Sequence, residues 1–228
     1  MMKSAAAAIV FALVALISLS CTSAELCQST DSKHEWSSEC FAGSGAARHV
    51  KPKYVKNIVP NKAGFATLII GNPRELVAVD GSGAIKIPNI FYTGDFDFSD
   101  AKQGLGRFQI AEVNLAGKAA SKCGYFDVRN FKIVIPAIYD QCLAFTDSSA
   151  TVCTNCEKYC TEPECQNSIL VGGQGFTISN TNRVIHRFDQ RPLDKACGGQ
   201  PGKIMRITEL SSYLQCGVTP DNLFKIKP

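Results

Sequence analysis

The chain has 228 residues, 45% of them hydrophobic and 19% charged, with a formal net charge of +4 and 11 cysteines. That length allows one core or a repeat array, and a charge so close to neutral excludes the electrostatic footprint of a nucleic-acid binder.

The first 24 residues carry one charge, Lys3, followed by an apolar run from Ala5 to Leu19 and by Thr22-Ser23-Ala24, which meets the small-x-small rule for signal cleavage. Residues 1–24 therefore read as a secretory signal, whose removal leaves 204 residues and, without Lys3, a charge of +3. The apolar run is about fifteen residues, short of the roughly 20 that a spanning helix needs. No later segment is comparably long and uncharged, so no transmembrane span is expected in the mature chain. A competing reading is lipoprotein processing at Cys21, although Ser18 stands three residues before it where Leu is usual. The expected location is periplasmic or secreted, with a membrane-anchored lipoprotein as the alternative. The lack of an Asn-x-Ser/Thr acceptor suits a bacterial periplasm.

Residues 25–46 are polar, contain Cys27 and Cys40, and read as a loop segment tied down by disulfides. Residues 47–190 repeat a pattern. Leu76-Val77-Ala78-Val79-Asp80-Gly81 followed by Ala84-Ile85-Lys86-Ile87-Pro88 matches Gly124-Tyr125-Phe126-Asp127 followed by Lys132-Ile133-Val134-Ile135-Pro136. A third copy runs Gly175-Phe176-Thr177-Ile178, a turn at Ser179-Asn180-Thr181-Asn182, then Arg183-Val184-Ile185, with His186 where proline would stand. A partial fourth copy lies at Ala47–Tyr54, and prolines 52, 88 and 136 set a period of about 36 to 48 residues.

Alternation such as Val77/Val79 and Ile85/Ile87 turns one side of a hairpin inward, and Asp80-Gly81 supplies turn chemistry. A lone hairpin is marginal in water, so successive hairpins must pack together. Proline after the second strand cannot donate to a ladder and is expected to end it. Residues 191–228 form a C-terminal extension, in which Ile207, Leu210, Tyr213 and Leu214 have helical spacing and Gly217 is placed as a stop. The predicted fold is all-β, an antiparallel array of hairpins with one short C-terminal helix.

Gly124–Asp140 and Gly104-Leu105-Gly106-Arg107-Phe108 resemble the WG repeat family, tandem β-hairpin units found mainly in bacterial proteins. The similarity spans roughly Arg48 to Asp189, with two departures. The only tryptophan, Trp36, lies outside every copy, and Asn130-Phe131 stands where Thr-Gly is common. The resemblance implies architecture and an exported bacterial setting, but no catalytic residue, ligand or cofactor.

Without Cys21, ten cysteines remain: Cys27, Cys40, Cys123, Cys142, Cys153, Cys156, Cys160, Cys165, Cys197 and Cys216. An even number in an exported chain predicts five disulfides, with the pairing left open. Cys153, Cys156, Cys160 and Cys165 have spacing that could hold zinc, and Cys153-x2-Cys156 has redox-motif spacing. Export favours disulfides over thiolate ligands, and a strand context disfavours redox chemistry.

His34, His49 and His186 are scattered, no nucleophile elbow is present, and Gly172-Gly173-Gln174-Gly175 lacks the lysine of a phosphate loop. Asp95, Asp97 and Asp100 alternate with Phe96 and Phe98, without the spacing of a calcium loop. Arg48–Lys56 is the one basic stretch, suited to an anionic lipid, a glycan or an acidic partner. No catalytic residue, cofactor or metal is assigned. The expected role is binding another protein or an envelope component, or building structure, with metal binding and thiol exchange as alternatives.

Overall fold

Strand-forming segments dominate because apolar residues recur at every second position and turns interrupt them after six to nine residues. A computed structural model describes residues 27–30, 34–72, 74–91, 104–113, 119–207 and 211–217. The elements in chain order are β1 (Trp36–Ser37), β2 (Phe41–Ala42), β3 (His49–Val50), a single helical turn α1 (Pro52–Val55), β4 (Phe65–Gly71), β5 (Glu75–Asp80) and β6 (Ile85–Ile87). Next come β7 (Leu105–Val113), β8 (Ala119–Asp127), β9 (Lys132–Tyr139), β10 (Gln141–Cys142), β11 (Ser149–Thr154) and β12 (Glu157–Cys160). The chain continues through β13 (Ser168–Val171), β14 (Gln174–Ser179), β15 (Val184–Asp189), β16 (Gly202–Arg206) and β17 (Ser212–Cys216).

Three sheets, ordered β1-β4-β5-β6, β7-β8-β9 and β10-β11-β14-β15, stack face to face. All their pairings are antiparallel except β1 with β4. Side-chain alternation sets the order of the stack. On β5, Val77 and Val79 face a core beneath the first sheet, while Ala78, with Ile87 of β6, faces Phe108 and Phe126 of the second. On β8, Phe126 faces back to the first sheet, while Tyr125, with Ile135 of β9, faces Val152 and Ile178 of the third. The first two sheets thus share the same two-faced arrangement.

The turns repeat as well. Backbone hydrogen bonds join residues four apart in each: Asp80 with Ala84, Asp127 with Phe131 and Ser179 with Arg183. In each, a side-chain oxygen of the first residue accepts an amide N–H two residues on, from Ser82 (2.9 Å), Arg129 (2.9 Å) and Thr181 (3.4 Å). Asp and Ser suit this position because their short side chains reach their own backbone.

The fourth sheet, β13-β12-β17-β16, grows out of the third. β11 and β14 continue past a corner as β12 and β13, and both chains bend there. Asn155, Gly172 and Gly173 take positive φ, and a Cβ on Gly173 would lie 2.1 Å from the Thr154 carbonyl oxygen. Glycine is therefore required at the corner.

Two expectations are corrected. Among the described residues the expected C-terminal helix is not found, and Ser212–Cys216 is instead a strand, while Leu210 lies outside the described residues. It pairs along its whole length with β16, buries Leu214 against Ile204, and is tied at Cys216 to Cys197. A partner strand and a disulfide outweigh the helical spacing. Pro136 does not end its strand either. β9 is the last strand of its sheet, a position where proline is tolerated. Its backbone lies in a bulge opposite Gly124, where a Cβ on the glycine would sit 2.4 Å from the Ile135 oxygen.

Candidate functional site

The ten cysteines pair as neighbours in sequence: Cys27–Cys40, Cys123–Cys142, Cys153–Cys156, Cys160–Cys165 and Cys197–Cys216. The four clustered cysteines thus divide into two disulfides and present no thiolate in this state. Cys153–Cys156 clips the corner between β11 and β12, and Cys160–Cys165 closes the tip of the β12–β13 hairpin. Neither lies at a helix N-terminus, where a dipole would favour a thiolate.

Between the second and third sheets a group of polar side chains is used up in holding the stack. Cys123–Cys142 crosses from β8 to β10. The Tyr125 hydroxyl donates to the Leu143 carbonyl (2.7 Å), and its burial pushes the phenol well above the ordinary range. Arg107 donates to the Cys142 carbonyl (2.9 Å) and lies 4.9 Å from the centre of the Phe91 ring. Lys122 meets Asp140, which also accepts the Asn155 N–H.

A crevice of about 260 Å³ lies between the first two sheets, lined by Ile69, Glu75, Leu76, Asn89, Ile90 and Phe91. Its carboxylate is engaged on both oxygens, by Arg48 on one side and the Asn89 N–H on the other.

The histidines are exposed on separate elements: His34 before β1, His49 on β3 and His186 on β15. Gly172-Gly173 forms the ribbon corner. In the basic stretch Arg48 is paired with Glu75, Lys53 lies over Tyr54 at 4.6 Å, and Pro52 opens α1. Residues 1–24, Cys21 and Asp95, Asp97 and Asp100 lie outside the described residues.

Comparison with family models, curated proteins and solved structures finds no match to this chain.

Among the described residues, one side of the stack stays open. β6, β9 and β15 are equivalent strands, each the last of its sheet. The first is covered at its start, where Val50 donates to the Gly83 carbonyl and His49 bridges Ala84. The other two carry exposed apolar side chains: Ile133, Val134 and Ile138 (49%) on β9, and Val184 and Ile185 (55%) on β15. The Tyr139 hydroxyl at the end of β9 donates to the Asn182 side chain just before β15 (2.8 Å), joining the two edges. Large apolar side chains grouped this way on a surface mark an interaction face. No sequence pattern points to it, because which strand ends a sheet depends on the sheet order.

Proposed function

We propose that this chain is an exported WG-repeat-like module, periplasmic or secreted, that binds another protein or an envelope component and catalyses no reaction. The carrying observation is the apolar edge surface formed by Ile133, Val134 and Ile138 with Val184 and Ile185. Three features support the repeat reading: the equivalent turns at Asp80, Asp127 and Ser179, the two-faced packing shared by the first two sheets, and the Gly124–Asp140 motif. Export is supported by the signal pattern in residues 1–24 and by five disulfides, which need an oxidising compartment. Among the described residues no helix is long and apolar enough to cross a membrane.

Photocrosslinking in the exporting host tests this reading. A photoreactive phenylalanine at Ile138 or Ile185 is expected to give a discrete adduct, while one at the exposed Lys158 on β12 gives none. Folded, exported protein that yields no adduct at either edge position would remove the basis for a binding surface here.

A further inference from the structure

The three equivalent edges differ in what they offer a partner. β6 is covered at its start, and β9 is interrupted by Pro136 and its bulge. β15 contains no proline and, past a register shift at Ile185, runs regularly from His186 to Asp189, in register with Thr177 to Gln174. Every residue on it except Phe188 is exposed. Its arginines also differ from several cations elsewhere. Arg48, Arg74, Lys86, Lys122 and Arg129 each meet a carboxylate. Among the described residues, none of Arg183, Arg187 and Arg191 is in an ion pair, and this stretch holds a single acid, Asp189.

A second copy of the chain is a poor occupant. Pairing of β15 with a second copy would bring the Arg183, Arg187 and Arg191 of both strands together with only one acid each, Asp189, and like charges across strands are destabilising. A cationic edge with apolar Val184 and Ile185 beside it matches an extended segment that carries carboxylates alternating with apolar residues.

We infer that β15 is a docking edge for an extended acidic peptide segment of a partner protein, which adds as a further strand to the third sheet. The inference rests on the binding reading above and names its partner. Main-chain hydrogen bonds to β15 hold the segment, and Arg183 and Arg187 select its charge.

The test uses the full exported protein with its disulfides intact and a synthetic peptide of alternating Glu and Val, followed by fluorescence anisotropy. The peptide is expected to bind, and the alternating Lys and Val peptide to fail. N-methylation of amides on both edges of the peptide is expected to abolish binding to the unaltered protein. The double variant Arg183→Glu, Arg187→Glu is expected to bind the acidic peptide about tenfold more weakly or worse. No binding of the acidic peptide, equal binding of the N-methylated form, or indifference to charge reversal would overturn the inference. So would a variant with both arginines neutralised that self-associates while the peptide fails to bind, since the cations would then be guards against edge pairing. If photocrosslinked adducts form at Ile138 or Ile185 while the acidic peptide fails, the binding reading stands and the acidic-strand inference falls.

Discussion

The two ends of the stack solve the same problem in opposite ways. Beneath the first sheet, Leu68, Ile70, Val77 and Val79 present an apolar face, and a lid of Trp36, Phe41, Val50 and Tyr54 covers it. Beyond the third sheet, Thr177 and His186 hold the register positions that Ala78 and Ile87, then Tyr125 and Ile135, occupy in the earlier sheets. Polar residues there suit a face that no lid covers among the described residues. One end therefore depends on packing, and the other on the absence of anything to pack.

The sharpest way to break this comparison is to weaken the lid. Trp36 is 1% exposed, so Trp36→Ala is expected to cost about 3–5 kcal/mol in chemical denaturation. Thr177→Ser, at the other end, should stay within about 0.5 kcal/mol. Comparable losses at both positions would show that the polar end is packed against something. A smaller effect is expected from the tether. Cys27–Cys40 closes a 13-residue separation, and replacing both with Ser should cost about 3 kcal/mol by loosening the unfolded chain's constraint. Cys153–Cys156, with a separation of 3, should cost less on the same account, and urea unfolding of the two double variants compares them.

The stack was legible wherever a strand alternates and its turn residue is local. Val77/Val79 and Asp80-Gly81 carry period and turn in adjacent letters, so the hairpin follows from them. The lid was not legible. Trp36 lies outside the repeated pattern, and β1 joins the first sheet by parallel pairing with Ile70 and Gly71, a contact that no local rule specifies. The C-terminal strand was misread because Tyr213 and Leu214 suit a helix or a strand equally, and the choice is made by β16 and by Cys197. Pro136 misled because a proline's meaning depends on whether its strand is an edge. At the exposed edge of the third sheet, His186 in place of proline was visible in the sequence. That it marks the end of a stack became visible only once Thr177 and His186 were seen to share a face.

The turns offer the smallest and most local contrast, again between the early sheets and the last. Burial alone would raise the Asp80 carboxyl, but hydrogen bonds from Ser82 and Lys86 and the backbone N–H groups of Ser82 and Ala84 outweigh it, and hold the group at about 2. Asp127 is likewise held below the usual carboxylate range, first by the Arg129 side chain, although Arg129 itself is largely exposed. A carboxyl depressed on folding contributes stability that is fully present above its unfolded value. That contribution is lost as pH falls through the folded value. For Asp80 the window therefore runs from about pH 4 down to about 2. Ser179, the equivalent residue in the third sheet, does not titrate. Amide hydrogen exchange at Ser82 and Ala84, corrected for intrinsic rates, should accelerate across that window, and exchange at Arg129 as Asp127 is protonated, while Thr181 and Arg183 keep their protection. In Asp80→Ser the acid sensitivity at Ser82 and Ala84 should disappear. Equal acid loosening of all three turns would mean that the stack opens as a unit, and that the turn carboxylates are not what fails first.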